Sequence, residues 1–200
     1  MFGHTHIPFR QFPRLFPVVT SLFLIQAVIF LIMTIMGGTQ SVPNLIRFGA
    51  LEPLLVSYGE WWRLVVPIFI HIGLFHILFN SFALYLFGPQ LEWLFGRIAF
   101  LFLYLSSGFV GNLMTYWFMT WAGQTGVSAG ASGSIYGLMG VYLYLIMRRA
   151  IEPEVSKGLL TMIGISVLMS ILDPRINLIA HLGGLFTGFL LTGLLLRPKE

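Results

Sequence analysis

Two hundred residues with a formal net charge of +4 are too apolar here for a water-covered fold: 57% are hydrophobic, 9% are charged, and the mean hydropathy is +0.88. A soluble domain carries roughly a quarter charged residues, so lipid must cover much of this chain. The longest basic run is Arg148-Arg149, which argues against a nucleic-acid face, and the absence of cysteine excludes disulfides, thiol catalysis and Cys-ligated metal.

Spanning a hydrocarbon core of about 30 Å takes roughly 20 apolar residues per helix, and windows of that length give six predicted helices. The first runs from Leu15 to Met36 and stops at Gly37-Gly38. A long connection, 37–66, follows. It carries Trp61, Trp62 and Arg63, an aromatic and basic cluster suited to the membrane interface. The second predicted helix covers Pro67 to Leu91, and the third Ile98 to Phe118. The fourth opens at Ser132 and ends at Arg148-Arg149. The fifth, Gly158 to Leu172, is short, and the sixth spans Ile176 to Leu196. The expected fold class is all-α: a polytopic six-helix bundle over 15–196, with a cytoplasmic segment 1–14 and a cytoplasmic tail 197–200. Sidedness follows from Lys and Arg. With the N-terminus inside, Arg10, Arg14, Arg97, Arg148, Arg149, Lys157, Arg197 and Lys199 are internal, against Arg47, Arg63 and Arg175 outside. Positive residues concentrate on the cytoplasmic face.

Polar side chains within such helices need an internal partner or a function. The second predicted helix carries His71, His76 and Asn80; the fourth has Ser132, Ser134 and Tyr136 after Gly130-Ala131; the sixth has Asn177 and His181. All three helices run from outside to inside, and His76, Ser132 and His181 each lie near an outer start. One shared depth in the outer half of the bilayer is therefore expected. His76 and Asn80 are four residues apart and share a face, as do Ser132 and Tyr136. Gly133 and Gly137, with Gly184 and Gly188, permit the close helix approach that would bring Ser132 within reach of His181.

A serine hydroxyl becomes a useful nucleophile when a base removes its proton during attack, and neutral imidazole suits that role near neutral pH. Ser132 is the candidate nucleophile and His181 the candidate base, with Tyr136 placed to pack on the imidazole. Candidate oxyanion donors are the Ser132 backbone N–H, unpaired at a helix start, together with His76 and the Asn80 amide. The sole Asp, Asp173, lies in a turn eight residues from His181, so a dyad is expected rather than a triad. Taken singly, these residues have plainer readings. Ser132 alone reads as a helix cap, His76 with Asn80 as interhelical hydrogen-bond glue, and Tyr136 equally as core filler. Glu92, near a helix end and Arg97, reads as a cap or ion-pair residue. His71, His76 and His181 have no carboxylate or cysteine beside them, so neither a metal nor a cofactor is expected.

Five motifs stand in order over Gly59 to Leu196. Trp62-Arg63 lies in the first loop, His76 and Asn80 frame H-x-x-x-N, and Gly88, Glu92 and Gly96 form G-x-x-x-E-x-x-x-G. Gly130-Ala131-Ser132-Gly133 opens a helix, and His181-Leu182-Gly183-Gly184 is followed by Gly188. Together they resemble the rhomboid intramembrane serine proteases of basic six-helix prokaryotic type. The resemblance implies Ser132 as nucleophile, His181 as base, and His76, Asn80 and the Ser132 amide as oxyanion hole. It implies Tyr136 packed on His181, and transmembrane protein substrates cut within the lipid bilayer of a prokaryotic cell. The fifth helix and the loop around Asp173 would act as movable gate and cap. A non-proteolytic rhomboid-like client-binding protein is the competing class; it would lack the serine or the histidine, and both are present. A transporter or proton channel would need acidic residues within helices or a repeat, and neither is found.

Overall fold

A computed structural model describes residues 9–196; over that range the chain is helical, with no strand and one isolated antiparallel bridge between Leu51 and Ser128. The expected segment 1–14 is thus seen only from residue 9, and the tail 197–200, with Arg197 and Lys199, lies outside the described residues.

A 3-10 turn at Phe9–Gln11 and a short α1 (Phe12–Leu15) lead to α2 (Pro17–Ile35), whose proline opens the helix where no N–H is needed. Buried Glu92 accepts from the Val18 and Val19 N–H groups at 2.9 Å each. A carboxylate is favoured there, because the first-turn N–H groups have no partner within their own helix. Glu92 is therefore a cap, but of a different helix from its own. Glu92→Ala is expected to lower stability by about 2 kcal/mol, since two charge-assisted hydrogen bonds are lost. Thermal unfolding in detergent measures this, and an unchanged midpoint would deny the cap any weight.

The connection 37–66 is folded. It holds α3 (Val42–Phe48), α4 (Pro53–Ser57) and 3-10 turns at Trp61–Leu64 and Val66–Phe69. The buried Arg63 guanidinium donates to the carbonyls of Ile46 (2.8 Å) and Ala50 (3.0 Å), pairs with Glu60 at 2.7 Å, and lies 4.4 Å from the Trp62 ring centroid. Trp61 and Trp62 are themselves exposed.

The second expected helix starts late. Pro67 belongs to a 3-10 turn, Gly73 adopts φ 80°, and α5 spans Leu74–Phe95. His71 consequently lies in the elbow before α5 rather than on it, while His76 sits in the first helical turn. Gly96 (φ 77°) turns the chain straight into α6 (Arg97–Trp121). Then come α7 (Ser132–Met147), α8 (Pro153–Leu172) and α9 (Leu178–Leu195). The fifth expected helix is not short, since α8 has 20 residues. Its polar first turn, from Pro153 to Lys157, is helical without carrying any hydropathy signal.

Among the described residues, α2, α5, α6, α8 and α9 are long and apolar enough to cross a membrane. α7 is apolar but has only 16 residues, about 24 Å of helix. It is also the most enclosed: Gly133 through Tyr142 are all buried. A short helix wrapped by longer ones starts within the bundle, inside the level of their ends. That is where Ser132 sits.

Candidate active site

Glycines set how near α7 and α9 come. A Cβ on Gly184 would collide with the Gly133 carbonyl, and one on Gly188 with the Gly137 carbonyl. Backbones pack this closely only where side chains are missing. The Ala180 carbonyl oxygen lies 3.4 Å from where a Gly133 Cβ would stand, and 2.5 Å from the Gly111 equivalent on α6. Three helices therefore meet at Ala180, and the neighbours of Ala180 and Gly133 are His181 and Ser132. One turn into α7, Tyr136 stacks on the His181 imidazole with centroids 4.0 Å apart and planes inclined 14°.

The junction is deep. Gly111 is ten residues from the end of α6 at Trp121, on the order of 15 Å along the helix. Segment 122–131 returns to that depth through backbone bonds. Leu51 and Ser128 exchange N–H···O bonds of 2.9 Å, and Gly130 N–H donates to the Pro67 carbonyl at 2.9 Å. Asn177, expected on the sixth helix, instead caps α9 by accepting from Ala180 N–H at 3.0 Å. Its amide donates to Ser128 Oγ (2.9 Å) and Thr115 Oγ1 (3.0 Å), which pins the loop level with Thr115.

Ser132 is the first helical residue of α7, and Ala131 occupies the cap position. The half-buried Ser132 hydroxyl is consequently not its helix's cap, nor does it hydrogen-bond to His181 or to any other described residue. Before it, Gly130 (φ 138°) passes beneath His76. A Cβ there would lie 2.7 Å from His76 Nε2 and 3.7 Å from Ser132 Oγ. Glycine is required for both the dihedral and the space, and the result is that His76 Nε2 and Ser132 Oγ border the same patch of backbone. His76 Nδ1 accepts from Ile72 N–H at 3.3 Å, so a neutral ring carries its proton on Nε2. Asn80 donates one amide proton to the His76 carbonyl at 2.8 Å and keeps the other. His71 is fully buried, its ring edge-on to His76 with centroids 5.3 Å apart.

One polar neighbour escapes the sequence reading. Ser170, on α8, places Oγ 2.8 Å from His181 Nδ1 and 2.8 Å from the Tyr136 hydroxyl. Its signal in the sequence is one of three hydroxyls in an apolar run, with Thr161 and Ser166, each of which a helix can satisfy on its own backbone. Asp173 turns away to Arg175, bonded at 2.7 to 3.2 Å. Those guanidinium hydrogen bonds hold its carboxyl down at about 2, in an exposed turn.

Comparison with known proteins agrees with this architecture. A family model described as the Rhomboid domain matches residues 58–198. YdcA of Bacillus subtilis (strain 168) is 42% identical over 194 residues, covering 96% of this chain and 95% of YdcA. Rhomboid protease GluP of the same strain is 35% identical over 186 residues, 92% of this chain but 36% of GluP. RHOMBOID-like protein 5 of Arabidopsis thaliana is 40% identical over 163 residues, 80% of this chain and 52% of that protein. The family model covers well over half of the chain, and the helices are of membrane-spanning kind. This is an integral membrane protein that belongs to the rhomboid family.

Proposed function

We propose that this protein is an intramembrane serine endopeptidase that cuts transmembrane segments near the outer leaflet, through a Ser132–His181 dyad. The observation that carries the reading is the stack of Tyr136 on His181 across a glycine seam, with an uncommitted serine hydroxyl one turn above. The family supports it, since a relative such as GluP is named a protease.

In this mechanism His181 Nε2 takes the Ser132 proton as Oγ attacks the scissile carbonyl carbon. The carbonyl oxygen becomes an oxyanion, met by the Ser132 N–H at the helix start, His76 Nε2–H and the remaining Asn80 amide proton. His181 then returns its proton to the leaving amine, giving an acyl-enzyme. Water, deprotonated by the same nitrogen, attacks the ester carbonyl and releases the acid and free Ser132. Water has to come from the outer side, where segment 122–131 and the elbow at His71 cover the site. The cytoplasmic placement of both termini rests on Arg10, Arg14, Arg97, Arg148, Arg149 and Lys157, which helix connectivity puts at one end. The expected membrane is that of a prokaryotic cell.

The test uses the purified protein in liposomes with a panel of tagged single-span substrates carrying small residues near their outer ends. The parent is expected to release two fragments from at least one. Asn80→Ala is expected to slow that cleavage by about 10²- to 10³-fold without abolishing it, because one donor among several is removed. A parent that cuts no member of the panel overturns the reading.

A further inference from the structure

We infer that Ser170 is a positioning residue that holds His181 in the Nδ1–H tautomer, so that α8 completes the catalytic base. This rests on the protease reading above. Among the residues of α8, Ile163 and Ser170 are the two that are buried, seven apart on one face. The rest of the helix is exposed or partly exposed, as a lipid-facing helix would be. Its one buried polar group reaches the centre of the site.

Proton counting decides what that group does. Ser170 Oγ has three polar neighbours, each at 2.8 Å: the Ser166 carbonyl, the Tyr136 hydroxyl and His181 Nδ1. A serine hydroxyl has one proton and two lone pairs. The Ser166 carbonyl can only accept, so it takes that proton. The two lone pairs then receive Tyr136 O–H and His181 Nδ1–H. Any other placement sets two lone pairs against each other at 2.8 Å in a buried site, oxygen against oxygen at Ser166 or Tyr136, or nitrogen against oxygen at His181. With its proton on Nδ1, neutral His181 has its lone pair on Nε2, the nitrogen that has no partner among the described residues. When Nε2 takes the Ser132 proton, the ring becomes an imidazolium and its Nδ1–H bond to Ser170 becomes charge-assisted. A neutral oxygen thus does the orienting work that a carboxylate does in a triad. Tyr136 contributes twice, by its ring against the imidazole and by its hydroxyl to Ser170.

The experiment compares the parent, Ser170→Ala and Ser170→Thr in liposomes, with Ser132→Ala as the inactive reference. Ser170→Ala is expected to lower kcat about tenfold with KM little changed, the loss of one hydrogen bond worth about 1.4 kcal/mol in the transition state. Ser170→Thr keeps the hydroxyl and is expected to restore most of kcat. A structural role alone would not move the next readout. In ¹⁵N-histidine spectra, the His181 signals, assigned by their loss in His181→Ala, are expected to report Nδ1–H in the parent and in Ser170→Thr. In Ser170→Ala they are expected to shift toward a tautomer mixture. Parental kcat and an unchanged tautomer in Ser170→Ala overturn the inference while leaving the protease reading intact. Absence of cleavage by the parent overturns the protease reading, while the spectra still show whether Ser170 sets the tautomer.

Discussion

Replacing Ser132 with Ala is expected to reduce cleavage by roughly 10⁴-fold or more with the fold intact, since no acyl-enzyme forms without the hydroxyl. The reason for an intact fold is specific to this site. Ser132 is not the cap of α7, and its hydroxyl bonds to no other described residue. Its removal should change stability by no more than about 0.5 kcal/mol. His181→Ala is expected to be equally inactive but less stable, because it strips the ring from Tyr136 and leaves Ser170 without one partner. Fragment release in liposomes and thermal unfolding, run side by side, separate the two effects. If both variants cut as fast as the parent, the dyad is wrong.

Gly184→Ala is expected to destabilise the protein by about 3 kcal/mol or more, an overpacking cost at the upper end because backbone meets backbone. The added methyl would run into the Gly133 carbonyl, and no rotamer can move either group away. Separating α7 from α9 is the available relief, and it would also draw His181 away from Ser132, so activity falls with stability. Gly158 and Gly164, on α8, are the contrast: a Cβ at either meets nothing within 4 Å. Gly158→Ala and Gly164→Ala are expected to be neutral or stabilising by up to about 1 kcal/mol, as alanine is the better helix former. Equilibrium unfolding of the three variants provides the check. A Gly184→Ala protein as stable as Gly158→Ala would deny the seam its role.

Much of the candidate site is legible in the sequence because membrane-depth polarity is costly. Ser132, His181, His76 and Asn80 stand out as polar residues near the starts of three apolar helices, and the structure brings Ser132, His181 and His76 to one junction. The glycine stripes were legible for a similar reason, since small residues every four positions describe a seam. Glu92 shows the limit of that reading. A carboxylate near a helix end pointed to capping, but nothing along the chain could say that the capped helix lies more than seventy residues earlier. The apolar window puts His71 on a helix because it does not distinguish a 3-10 elbow from a helix. The left-handed Gly73 that separates the two is a local dihedral choice.

The sequence by itself determined that lipid is the solvent and that the chain forms an all-α bundle of apolar helices. Both follow from local quantities: apolar length and the scarcity of charge. Tertiary structure alone decided that α7 is enclosed by its neighbours, that Gly130 brings His76 beside Ser132, and that Ser170 of α8 bonds to His181. Those are contacts between segments far apart in the chain, and a hydroxyl in an apolar helix looks the same whether it bonds its own backbone or a distant imidazole.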